Sequence, residues 1–318
     1  MNQELLTSGA KTLPLPSMGV LWMVLATLLF VSLDSIAKYL VQSYPVPQVV
    51  WARYCFHLLF LLILLNRRMV QVIVTRRLRL QCLRSIMLLL ATAFYFWGLR
   101  YVPLAKAASI MMVSPIIVTT LSVPLLKESV GVHRWLGVLA GFAGALIILK
   151  PGGDIVSLAA LLPLGAAIMY ALYQISTRLL SRADLPMTTL VYTSLFGALI
   201  ASCAVPFAWT QPDAKGWALM GMTGLLGGLG HFSLIKAFQH SNAAVISPFN
   251  YTSLLWAIIY GILLFGEYPE IKTLAGAAIV LCSGLYIFKR ERSIAHDSRH
   301  LSGPPGTGQG DAGTEGEG

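Results

Sequence analysis

The chain has 318 residues, of which 56% are hydrophobic and only 11% charged, against roughly 25% charged in an ordinary soluble domain. That composition marks an integral membrane protein and leaves no length for a soluble catalytic domain. The net charge of +10 comes from basic residues in short links between apolar runs, where they read as orientation signals rather than as a nucleic-acid surface.

A membrane span takes about 20 mostly apolar residues. Cutting the chain at proline, glycine and charge clusters gives ten such runs, near 19–41, 47–66, 81–101, 104–125, 131–149, 156–178, 187–208, 216–238, 243–265 and 271–288. The fold class expected is therefore all-α integral membrane. Residues 1–18 are expected to form a cytoplasmic N-terminal segment. The first run is longer than a signal-peptide core and has no clear small-x-small cleavage site, so it is kept as a helix.

That first run carries Asp34, a carboxylate whose placement inside a span costs at least about 2.5 kcal/mol. Lys38 lies four residues on, on the same helical face, and Arg53 in the second run is another candidate partner. Two readings follow: a structural ion pair, or a cluster facing a cavity in which Asp34 takes up a coupling proton or binds a cationic group of a solute. In the coupling reading, Asp34→Asn loses uphill transport and spares exchange of solute down its gradient. His57, four residues after Arg53, and His231 in the eighth run titrate in a range suited to proton movement.

Further along, Tyr95, Tyr170, Tyr173, Asn250, Tyr251 and Trp256 add aromatic and hydrogen-bonding surface suited to a cavity for a polar or amphiphilic solute. Pro115, Pro124 and Pro248 permit bends. Gly137 and Gly141 form a GxxxG pattern that lets a helix approach closely, either one of the same chain or one of a second subunit in a homodimer. The cysteines, Cys55, Cys82, Cys203 and Cys282, have no metal-pair spacing, and neither a disulfide nor a metal or other cofactor is expected. Residues 290–318 are too rich in glycine, proline and polar residues to bury a core and read as a disordered cytoplasmic tail; the glycine-rich GPPGTGQG within it lacks the Lys-Ser/Thr pair of a phosphate loop.

The chain is also a duplication. At an offset of about 139 residues, Leu104-Ala105 falls on Ala243-Ala244, Glu128 on Glu267 and Gly137 on Gly276, so there are two halves of one architecture, residues 19–150 and 151–289. One residue further on, Asp34 and Lys38 fall on Gln174 and Arg178, which makes Lys38 and Arg178 candidates for corresponding outer and inner constrictions. Five helices per half turn the second copy upside down, giving two inverted repeats. The excess of Lys and Arg on one side puts both termini in the cytoplasm.

Two five-helix halves, Arg53 after Pro47, the PLAKAAS segment Pro103–Ser109, a glutamate closing the fourth and ninth runs, and Gly266-Glu267 together resemble the EamA branch of the drug/metabolite transporter superfamily, over about 19–289. The resemblance implies a ten-helix fold with a central cavity, and solute transport by alternating access across the cytoplasmic (inner) membrane. Its expected partners are a small-molecule solute and the lipid bilayer. The function expected is a secondary active transporter of a small polar or amphiphilic metabolite, proton- or gradient-coupled, with export favoured over import. The competing reading, a membrane-embedded enzyme acting on a lipid-linked substrate, needs a clustered acid, base or metal set such as HExxH at one membrane face, and the sequence has none. A channel is disfavoured by the duplicated inverted halves.

Overall fold

The computed structural model describes residues 16–66, 72–126, 132–149, 158–180, 184–240, 247–283 and 285–286. The segments 1–18 (but for its last three residues) and 290–318, together with Glu128, lie outside them. In the described residues the chain is helical throughout, in elements that follow the apolar runs: α1 (Pro16–Ser43), α2 (Val46–Leu65), α3 (Leu78–Leu99), α4 (Leu104–Met111), α5 (Ser114–Leu126), α6 (Val132–Leu149), α7 (Leu161–Leu180), α8 (Pro186–Ala204), α9 (Ala214–His240), α10 (Thr252–Phe265) and α11 (Ile271–Ser283). Among the described residues, six helical segments are long and apolar enough to cross a membrane: α1, α2, α3, α4 with α5, α8 extended to Phe207, and α9. Four shorter apolar helices accompany them, within α6, α7, α10 and α11.

Local chemistry sets where these helices begin and end. Pro45, Pro103 and Leu185 hold extended ψ angles of 139°, 144° and 149° just before α2, α4 and α8. Proline is tolerated there because the first helical N–H groups have no intrahelical partner. The fourth apolar run is broken: backbone hydrogen bonding changes at Met112 and Val113, and a new helix starts at Ser114-Pro115. Pro115 cannot donate to a continued helix, so the expected bend is found as a break, while Pro124 stays inside α5. In the ninth run Pro248 lies in a 3₁₀ segment, Ser247–Tyr251, that precedes α10. Asp213 starts α9 as a cap, accepting from the Gly216 N–H at 2.7 Å and from the Tyr44 hydroxyl at 3.0 Å; the Gly216 bond first, then Tyr44, hold its carboxyl below the usual range.

The outer surface is rich in exposed apolar side chains, and the interior holds polar groups among a larger number of apolar ones. Gln48, Gln81, Arg84, Thr92, Thr193, Ser194 and Thr223 are buried, while Phe207, Leu263 and Ile63 are 91%, 73% and 71% exposed. A surface of that kind suits hydrocarbon, in which every interior polar group must find a partner within the protein. Gln48 shows how: its amide donates to the Thr210 carbonyl at 2.8 Å and accepts from the Thr210 N–H at 3.0 Å. At the same end of the bundle Trp51, Trp209 and Trp217 pack edge-on and tilted, with ring centroids 5.8 and 6.0 Å apart. Trp51 and Trp217 lie in the first two turns of α2 and α9, where an amphipathic ring prefers the headgroup level.

Packing crosses between the two halves. α1 lies against α9 and α10, α2 against α9 and α8, and α3 against α7 and α8. Small residues allow the close approaches. A Cβ placed on Gly224 of α9 would stand 2.3 Å from Phe56 Cβ and 2.6 Å from the His57 backbone nitrogen. Gly224→Ala is therefore expected to push α9 off α2, at a cost of about 1–3 kcal/mol, read as a lower melting temperature in detergent. An unchanged melting temperature would show that this contact gives way freely. Gly137 and Gly141, the GxxxG pair, lie against α11 and α5 of the same chain: Ser283 donates its hydroxyl to the Gly137 carbonyl, and Gly141 has no room for a Cβ between Ile116 of α5 and Ser283 of α11. The four cysteines are free.

Candidate functional site

A partly open cavity of about 220 Å³ lies between α1, α2, α3, the α4–α5 break, α7, α9 and the start of α10. Seven of the candidate site residues read from the sequence line it: Asp34, Arg53, Tyr95, Tyr170, His231, Asn250 and Tyr251. Helical phase explains this. Asp34, Val31 and Thr27 recur at three- and four-residue spacing along α1 and so share a face, and Leu88, Ala91, Thr92 and Tyr95 do the same on α3.

Asp34 is not paired with Lys38, contrary to the ion pair expected from their spacing. Lys38 turns away, and its ammonium lies 2.7 Å from Glu267 Oε1 and donates to the Val102 carbonyl at 2.9 Å. The same ammonium stands 5.3 Å from the centre of the Phe265 ring. Glu267 in turn accepts the N–H of Leu104, the first residue of α4, at 2.9 Å. Gly266, in the left-handed conformation at φ 64°, makes the turn that brings Glu267 there, a backbone shape for which glycine carries no Cβ penalty. Together these contacts lock α1, α4 and the end of α10 about one helical turn beyond Asp34. The attraction that removes Lys38 from Asp34 is the second oppositely charged group, with the helix N-terminus of α4 adding to its hold on Glu267. Asp34 itself makes no hydrogen bond or ion pair among the described residues.

Arg53 is held from behind. It donates to Thr92 Oγ1 at 2.9 Å, and that hydroxyl also meets the Tyr54 hydroxyl at 3.0 Å. Its guanidinium lies 5.7 and 5.6 Å from the Tyr54 and Phe96 ring centres. These contacts fix Arg53 without neutralising it, so the cavity presents one carboxylate and one guanidinium that are not joined to each other. Phe30, Tyr95, Tyr170 and Tyr251 are aromatic parts of its wall, beside apolar residues such as Val31, Leu88 and Met111.

Among the described side chains, Lys38, His57, Tyr173, Gln174 and Trp256 of the expected site do not line the cavity. His57 is buried behind it and stacks on His231, ring centroids 5.7 Å apart and 6° from parallel. Tyr173 stacks on Tyr170 at 5.5 Å. Trp256 has its indole N–H buried with no partner, and Gln174 is half-buried on α7. The Arg178 side chain lies outside the described residues.

Arg84 escapes a reading of the sequence, since at the start of α3 it counts as one more orientation charge. In the structure it is buried at 4% exposure. It donates to Thr177, to the Thr189 carbonyl, to Thr193 and to the Tyr173 hydroxyl, with its guanidinium 4.4 Å from the Tyr173 ring centre. Beside it Asp184 accepts from Thr75 at 2.6 Å and Gln81 at 2.7 Å. The start of α3, the end of α7 and the start of α8 are thus tied at the end of the bundle opposite the Lys38–Glu267 lock. The burial of Arg84 has one signal in the sequence: Arg84 is followed by a run without charge up to Arg100, and it stands nearly two turns inside the helix rather than in the basic link.

A polar and aromatic chamber inside an apolar bundle, tied at both ends, defines a multi-pass membrane transporter of small metabolites. The comparisons with known proteins make it specific. Residues 17–150 and 157–289 each match the EamA-like transporter family, and the chain belongs to that family. It is 32% identical to a riboflavin transporter of Vibrio cholerae over 296 residues, covering 90% of this chain and 98% of that protein. It is 30% identical to a riboflavin transporter of Rhizobium johnstonii, covering 86% and 91%. An S-adenosylmethionine uptake transporter of Rickettsia bellii is 27% identical, covering 87% and 95%. The protein is a transporter and not an enzyme.

Proposed function

We propose that the protein is a gradient-driven secondary transporter of the inner membrane, with ten membrane helices in two inverted five-helix halves, and that riboflavin is its solute. The observation that carries this reading is the cavity, in which aromatic walls surround a carboxylate and a guanidinium that leave each other free. A flat heteroaromatic ring system stacks on Tyr95, Tyr170 and Tyr251, while Asp34, Arg53 and Asn250 satisfy donors and acceptors on its edge. The named solutes of the most similar relatives support the choice.

The Lys38–Glu267 lock closes the outer end in this topology and the Arg84 cluster the inner end. Alternating access then consists of breaking one set of contacts while the other holds. The sequence favours export; a gradient-driven carrier runs in either direction, and uptake is the direction a growth test reads. Expression in a riboflavin-auxotrophic bacterium without a riboflavin transporter of its own is expected to restore growth on low external riboflavin and to accumulate labelled riboflavin. Neither growth nor accumulation, with the protein present in the membrane, would overturn the solute assignment.

A second reading rests on one observation, the missing counter-ion of Asp34. A cationic, amino-acid-bearing solute such as S-adenosylmethionine would supply it, with its carboxylate at Arg53. Competition for labelled riboflavin uptake separates the two: S-adenosylmethionine competes only if it occupies the same chamber.

A further inference from the structure

The mechanism above makes no use of the two stacked imidazoles. His57 projects from α2 and His231 from α9, and their near-parallel rings meet at 5.7 Å. His231 faces the cavity and sits edge-on to Phe30 at 5.0 Å. His57 lies behind it with 4% exposure, and its Nε2 has no hydrogen-bond partner. A buried polar nitrogen without a partner is a cost unless it serves a purpose. Here the rings are pressed together by the close approach of α9, because a Cβ on Gly224 or Gly228 would strike Phe56 or Phe60 beside His57.

We infer that His57 and His231 together form the site that takes up the coupling proton, the stacked pair holding one proton at a time. This rests on the transport reading. Two imidazolium rings at that separation, in a membrane interior, repel too strongly to coexist, whereas one charge spread over two facing rings is tolerated. The step is proton binding alone: a ring nitrogen lone pair takes a proton from cavity water on one side of the membrane and returns it to water on the other.

The surrounding charges make that occupancy depend on helix geometry. α2 contributes Arg53, α3 Arg84, and α1 Asp34 together with Lys38, which Glu267 holds. α8 carries no carboxylate, lysine, arginine or histidine, and Lys236 of α9 lies over the Phe232 ring. These charges reach the pair from three different helices. A rearrangement of α1, α2 and α3 against α9 therefore shifts the proton affinity, and a proton on the pair favours one arrangement over the other.

The test is imidazole nitrogen NMR on the full-length protein in lipid bilayers, with signals assigned through His57→Gln and His231→Gln. The pair is expected to take up a single proton, and each ring's titration is expected to move when the other is replaced. Independent titration with one full proton on each ring, or no titration of either ring, overturns the inference. In proteoliposomes His57→Gln is expected to lose the dependence of riboflavin accumulation on an imposed pH gradient, with riboflavin exchange in the same vesicles recorded alongside. Accumulation that still follows the pH gradient in both His57→Gln and His231→Gln also overturns it. If the unmodified protein exchanges no riboflavin, the solute assignment falls and the titration alone decides the pair.

Discussion

Glu267→Ala is expected to lower stability by about 3–5 kcal/mol, because it leaves the Lys38 ammonium buried without a counter-charge. The Lys38 side chain is 7% exposed and that of Glu267 23%, so water screens this pair far less than a surface ion pair. The substitution also takes away the acceptor of the Leu104 N–H. Three elements, α1, α4 and the end of α10, then lose their common contact. Lys38→Met is expected to cost less. It removes the charge together with its desolvation, and Glu267 keeps the Leu104 N–H and some contact with solvent. Lys38→Met combined with Glu267→Gln is expected to recover part of the loss, since it leaves no uncompensated charge. Melting temperatures of the four proteins in detergent test this order. A cysteine at Ser253, which lines the cavity, reads the conformational side: reagent added outside is expected to label it faster once the lock is removed. If Glu267→Ala melts like the unmodified protein and labelling does not change, the contact is not a lock.

This prediction shows where the sequence is readable and where it is not. The apolar runs are set by composition alone, and α1, α2, α3 and α9 follow them closely. The cavity residues Asp34, Arg53, Tyr95, Tyr170, Asn250 and Tyr251 were identifiable because polar and aromatic groups within apolar helices stand out against their surroundings. The partner of Lys38 was not. Spacing along one helix points to Asp34, and Glu267 comes within reach only because α10 packs beside α1 and Gly266 turns the chain. Arg84 is missed for a related reason. A basic residue near a helix end satisfies the orientation rule equally well whether it snorkels to the surface or turns inward to Thr177, Thr193 and Tyr173. Phe30 and Met111 line the cavity and look in the sequence like any other apolar helix residue. The break at Met112 and Val113 is signalled by Pro115, but a proline permits a break without requiring one.

Asp34→Asn is the second substitution expected to have a large effect, in transport rather than in stability. A structural ion pair with Lys38 would make this change destabilising, but Asp34 makes no ion pair or hydrogen bond among the described residues and lines the cavity with a free carboxylate. Asparagine keeps the size and removes a charge whose placement in a membrane interior is costly. The melting temperature is therefore expected to hold or rise. What is lost is the charged acceptor for the solute. A hydrogen bond to a charged group contributes about 1.5–3 kcal/mol, which corresponds to roughly a ten- to hundredfold weaker solute affinity. Uphill accumulation and exchange are expected to fall together, since both begin with solute binding, and higher solute concentration is expected to restore part of each. The measurement is riboflavin uptake and exchange in proteoliposomes over a range of concentrations, with melting temperature alongside. A drop in melting temperature would return Asp34 to a structural role. Loss of pH-driven accumulation with exchange intact would instead make Asp34 the coupling residue and remove that role from His57 and His231. The three outcomes are distinct because binding, coupling and folding draw on different contacts: the solute meets the Asp34 carboxylate itself, whereas the histidine pair feels it only as a nearby charge.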